Sequence, residues 1–154
     1  MGVKSVFEFP GFATIFQTSK TTFITVVNDN GRGMHSSDEP KTIAIALITD
    51  QLDEWYQYAL SQNLNIKNPP KPLADNHHNG FLVTDPGGYI LEFEHCAEHP
   101  ENQSFIPLLN NRKKLYGKKG SGRPENLGFT ARIYGLYHSD ELEAEKFYTE
   151  VMRL

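Results

Sequence analysis

The sequence predicts an α+β fold, and three observations carry that reading. Runs rich in β-branched and aromatic residues alternate with polar breaks that contain Gly and Pro, as strands and turns do. Two segments set apolar residues at helical spacing behind an aspartate able to cap a first turn. A strand–helix unit also recurs at one constant offset. Ser139-Asp140-Glu141-Leu142-Glu143 matches Thr49-Asp50-Gln51-Leu52-Asp53, with Tyr148 matching Tyr58 beyond them.

The elements follow in chain order. Phe7-Glu8-Phe9 is a short strand before Pro10-Gly11, and 12–17 and 21–27 are two strands around the hairpin-sized break Thr18-Ser19-Lys20. Residues 28–40 are loop. Thr42 to Ile48 is the clearest strand, and Asp50 is the expected cap of the helix that places Leu52, Trp55, Tyr56, Ala59 and Leu60 on one face. Asn68-Pro69-Pro70-Lys71-Pro72 is extended. Phe81 to Thr84, the turn Asp85-Pro86-Gly87-Gly88, and Tyr89 to Glu94 make a β-hairpin. Residues 97–126, with three prolines, a basic run from Arg112 to Lys119 and several glycines, read as a solvated linker. Gly117 to Gly122 lacks the spacing of a phosphate loop. A strand at 131–137 and a helix with capping-box spacing, Asp140 to Glu143, complete the chain.

Composition narrows the function. The 154 residues suit a single domain, and 10 Phe, 7 Tyr and 1 Trp supply a core without disulfides. A net charge of -4 gives no basic footprint for nucleic acid. No stretch approaches the roughly 18 apolar residues of a membrane span. The N-terminus shows no signal-peptide pattern, and Val6 stands where myristoylation wants Ser or Thr. The single cysteine, Cys96, excludes an internal disulfide and a cysteine-rich zinc module. A cytoplasmic protein without nucleic-acid or membrane partners is expected.

Asp85-Pro86-Gly87-Gly88-Tyr89-Ile90-Leu91-Glu92 resembles the Asp-Pro-x-Gly-Tyr-x-x-Glu hairpin of the glyoxalase, bleomycin-resistance and extradiol dioxygenase superfamily, the vicinal oxygen chelate fold. The resemblance implies paired βαβββ modules that close a curved mixed sheet with helices outside. Residues 41–96 would be one complete module. The other would be split, its strand and helix at 127–154 and its remaining strands at 1–30, so that the chain is circularly permuted with 97–126 as the join. About 30 residues reach about 100 Å when extended. That is enough to close one molecule or to exchange the 127–154 unit within a homodimer. On this scheme strand 131–137 pairs beside the 1–30 strands, and strand 42–48 belongs with 81–94.

The resemblance also implies a divalent-metal site on the sheet, with ligands from the first and last strands of each module. Glu92 matches the hairpin's ligand glutamate. The first-strand slots fall on Thr42 or Ile43 and on Arg132 or Ile133, which do not ligate well. No cofactor is therefore expected, and a zinc, nickel, iron or manganese ion would need His35, His78 or His95 folded inward around Glu92. Three roles are open to Glu92: a cavity-lining carboxylate, a metal ligand, or a catalytic base. Arg132 on an apolar strand needs an anion, for which Glu92 or a ligand carboxylate would serve. Arg132, Tyr134, Phe16 and His78 are the candidate ligand-binding residues. The leading reading is a protein that binds a small aromatic or amphipathic molecule without the standard metal set. The rival is a metal-dependent lyase or dioxygenase, and a protein-interaction module built on 112–123 is a third.

Overall fold

Strand formation follows the β-branched and aromatic runs closely. The computed structural model describes residues 5–17, 22–29, 35–71, 78–110, 115–116 and 123–153. The basic run, the glycines 117–122, Pro72 and His77 lie outside the described residues. Strands β1 (Ser5–Phe9), β2 (Ala13–Gln17) and β3 (Phe23–Val27) form an antiparallel meander. Gly11 turns the chain between β1 and β2 at a φ of 69°, a conformation that costs glycine little.

The remaining strands are β4 (Ile43–Ile48), β5 (Ile66–Asn68), β6 (His78–Thr84), β7 (Ile90–Cys96), β8 (Leu115–Tyr116), β9 (Gly128–Phe129) and β10 (Ala131–Leu136). Five of them make a second sheet in the order β10-β4-β7-β6-β5, while β8 and β9 pair with each other. Strand β4 runs parallel to β7, connected through helix α1 (Leu52–Ser61). The strand–helix–strand–hairpin run from β4 to β7 is thus a whole βαβββ unit, and strand 42–48 does belong with 81–94. The Asp85–Gly88 turn is closed by the Gly88 N–H on the Asp85 carbonyl and the Tyr89 N–H on the Asp85 carboxylate.

Alternation along β4, β6 and β7 divides the five-stranded sheet into two faces. Leu47, Phe81, Val83 and Phe93 point to the side covered by α1 and pack with its Leu52, Trp55 and Ala59. Trp55 stacks on Phe129, centroids 4.3 Å apart, and its indole N–H donates to the Gly128 carbonyl. Leu127 and Phe129 are buried in the same cluster. The guanidinium of the buried Arg123 lies over both Trp55 and Phe129. On the opposite face, Leu109 of helix α2 (Ile106–Asn110) packs with Ala46 and Ile48, joined by Phe105, Cys96 and Ala131.

Three expectations change. The α1 cap is not Asp50: Gln51 holds the N-cap position, and Thr49 Oγ accepts from the Gln51 N–H while donating to the Gly128 carbonyl. Thr49 is buried, so its hydroxyl joins helix start to β9 where a carboxylate would lose its hydration. Residues 97–126 are not simply a solvated linker, because Asn102, Leu109 and Arg123 are buried. Their apolar residues are too sparse for periodicity to announce burial, yet they fit hollows on both faces of the sheet. The 131–137 strand pairs antiparallel with β4, from Ala131↔Ile48 to Leu136↔Ile43, and no ladder joins it to β1–β3 among the described residues. Helix α3 (Glu141–Lys146) does follow β10, with the Asp140 carboxylate accepting from the Glu143 N–H as its spacing predicts. It runs on into a π-helical turn, Phe147–Val151.

Candidate functional site

The face of the five-stranded sheet opposite α1 carries a titratable cluster on β6 and β7. Glu92 and Glu94 project to this face, across from Leu82 and Gly80, and His78 stands directly opposite Cys96. Toward the β10 edge of the sheet, Ala46 lies beside Glu92 and Ile133 beside Ala46, so the floor next to the carboxylates is hydrocarbon. Gly80 has a steric reason as well: a Cβ there would come within 2.6 Å of the Phe93 carbonyl oxygen.

His78 Nδ1 is hydrogen-bonded to the Glu94 carboxylate, and Cys96 Sγ lies 3.8 Å from the same nitrogen. Imidazole, carboxylate and thiol offer ligand atoms all within 4.8 Å of one another. The His78 side chain is 41% exposed and Glu94 13%, so the cluster opens to solvent on the histidine side. Partial burial raises the proton affinity of Glu92, the neighbouring Glu94 raises it further, and His78 opposes both. Burial pushes the Cys96 thiol up to about 11, with help from Glu94 and Glu92, so the group is a thiol rather than a thiolate near neutrality.

Of the sequence-predicted site residues, the structure brings Glu92 and His78 to this face. Arg132 and Tyr134 register with Leu47 and Ile45, on the α1 side, so Arg132 is not the counter-ion of Glu92. Burial lowers the proton affinity of Arg132 and the neighbouring Tyr134 opposes the shift. Alternation along each strand taken separately does not relate their faces, and only the β10–β4 register does. Phe16 lies on β2 in the other sheet, across from Ile24. His95 Nδ1 meets the Thr49 carbonyl, and His35 pairs with Glu39, so neither joins Glu92.

Glu94 and Cys96 are the members that sequence reasoning passed over as partners of His78. The signal was present. Counting equal steps outward from Thr84↔Ile90 beside the Asp-Pro-Gly-Gly turn reaches His78↔Cys96.

A family model, "Glyoxalase/Bleomycin resistance protein/Dioxygenase superfamily", matches residues 12–93, more than half of the chain. The chain belongs to this superfamily. No curated protein matches its sequence. Among solved structures, a glyoxalase/bleomycin resistance protein/dioxygenase from Alicyclobacillus acidocaldarius is 16% identical. That likeness covers 63% of this chain and 75% of the other at a TM-score of 0.46. A lactoylglutathione lyase from Agrobacterium tumefaciens is 15% identical, with coverages of 61% and 75% and a TM-score of 0.48. TioX from Micromonospora sp. ML1 is 17% identical, with coverages of 64% and 80% and a TM-score of 0.41.

Divalent metals are common in this superfamily. The residues around Glu92 do not fit the metal set that the resemblance implies. Ile133 and the Ala44–Ala46 stretch of β4 bring methyl groups to its face, Arg132 points to the other, and Thr42 lies outside β4. Among the described residues, no helix is long and apolar enough to cross a membrane.

Proposed function

We propose that this glyoxalase-superfamily chain binds a small aromatic or amphipathic molecule on the Glu92 face of the five-stranded sheet, with Glu92 as its polar anchor. One observation carries the reading: a half-buried carboxyl of raised proton affinity stands between a hydrocarbon floor and an imidazole. Such a group donates a hydrogen bond when protonated and accepts one, or holds a cationic head, when ionised. Its altered affinity also suits it to proton exchange with a bound substrate, the role open to Glu92 in a lyase. Trp55 is a poor reporter of binding here, since it is 1% exposed on the opposite face. Backbone amide shifts during titration with a set of small aromatic amines and phenols test the proposal. Shifts centred on Ala46, Glu92 and Glu94 and weakened by Glu92→Gln are expected. Shifts confined to other surfaces, or indifferent to Glu92→Gln, overturn it.

We infer that the working form is a homodimer in which the 127–154 unit of one copy covers the β1–β3 sheet of the other. Phe7, Phe9, Phe23 and Val27 are about half exposed on one face of that sheet, and α3 with its π-helical turn exposes Leu142, Phe147 and Val151. Exposed apolar patches of this kind mark interfaces. The outer edges of β3 and β10 carry no ladder partner among the described residues, so strand addition would join the two patches twice around one two-fold axis. Sedimentation of the full chain should give a dimer that Leu142→Glu with Val151→Glu converts to monomer. A monomer at high concentration in the parent rejects the assembly.

A further inference from the structure

We propose that His78, Glu94 and Cys96 form a binding site for one zinc-type divalent cation at the end of the β6–β7 hairpin away from its turn. This goes beyond the small-molecule reading and does not depend on it. The site omits Glu92, the one residue that matches the superfamily's ligand position.

The argument is geometric and chemical. The three donors are one imidazole nitrogen, one carboxylate oxygen and one sulfur, a mixed set that suits zinc and its neighbours and that magnesium and calcium do not favour. Zinc–nitrogen and zinc–sulfur bonds of ordinary length at a tetrahedral angle place the two ligand atoms about 3.6 Å apart. His78 Nδ1 and Cys96 Sγ stand 3.8 Å apart. The Glu94 oxygen is drawn to His78 by a hydrogen bond, and an entering cation would take the place of the bridging proton. Three protein ligands leave a fourth position for water or a ligand atom, the pattern of open zinc sites.

The donors stand on two paired strands. His78 and Cys96 are a direct cross-strand pair, and Glu94 lies two residues before Cys96 on the same strand and face. Among the described residues, Cys96 packs with Phe105 and Ala131 against Ala46, Ile48 and Leu109, so hydrocarbon borders the cluster, and the further carboxyl that acts on the thiol is that of Glu92. Its carboxylate adds to the attraction for a divalent ion without needing to ligate. On binding, the Cys96 S–H proton leaves to solvent and the sulfur–metal bond forms in its place, with no change of oxidation state.

Cobalt(II) titration of the chelator-treated full chain, read by absorption, tests the site. One ion per chain is expected, with a sulfur-to-cobalt charge-transfer band that zinc abolishes by competition. Cys96→Ser should remove that band, and His78→Ala, at an exposed strand position, should weaken binding at least tenfold. Zinc but not magnesium should also slow iodoacetamide alkylation of Cys96 in the parent, a readout that needs no variant. Absence of the charge-transfer band overturns the proposal. So does cobalt binding that both variants leave unchanged, or alkylation that zinc does not slow. Because all three readouts are taken without an organic ligand, their failure leaves the Glu92 titration to succeed or fail separately.

Discussion

Glu92 holds its proton more tightly in the folded chain than in an unfolded one, because burial and Glu94 both disfavour its charge. A raised carboxyl contributes stability in full below the ordinary carboxylate range, and that contribution is lost as pH rises through the folded value. Glu92→Gln should therefore match the parent in acid and exceed it near neutrality, as measured by urea midpoints across pH. A parent whose stability difference from Glu92→Gln does not change with pH would contradict the assignment. Cys96 gives a second check in the metal-free protein. Its alkylation rate should climb with a midpoint of about 11, and Glu94→Gln should lower that midpoint. A midpoint in the ordinary thiol range would mean that neither burial nor the carboxylates act on it.

Among the elements, the segment after β7 is the informative one. A solvated spacer would tolerate any substitution, but Leu109 is 7% exposed against Ala46 and Ile48. Leu109→Ala should cost about 2–3 kcal/mol in chemical denaturation, within the range for a buried leucine truncated to alanine. A loss of only a few tenths would restore the spacer reading. The two helices also differ in how legible their caps were. Asp140 caps α3 as its spacing announces, since that helix start is exposed and a local carboxylate suffices. At α1 the start is partly covered by residues 126–130. Thr49 and Gln51 bond to Gly128, and Gln51 also to the Asn126 carbonyl, contacts of long sequence separation that no local pattern encodes.

At the scale of the whole molecule, the last strand and the residues before it complete the larger sheet. β10 provides the antiparallel neighbour of β4, and Leu127 and Phe129 fill the core around Trp55. Deleting 127–154 should thus abolish cooperative unfolding, because losing an edge ladder and two buried side chains approaches the whole margin of a small domain. A truncated chain that unfolds in one sharp urea transition would show that β10 and β9 are dispensable. The same deletion leaves the His78–Cys96 rung covalently intact, so the loss would be one of fold rather than of ligands.

The superfamily was readable from the Asp85-to-Glu92 hairpin and the strand–helix before it, since those features are local: a turn that wants Gly88 at positive φ, alternation, and helical spacing. The βαβββ order of β4 to β7 came with them. What only the tertiary structure decided is which side chains share a face. The strand period is two, so a one-residue difference in register sends a side chain to the other side of the sheet. That parity separates Arg132 from Glu92 through the β10–β4 pairing, whose strands lie far apart in the chain, whereas His78 meets Cys96 within one local hairpin.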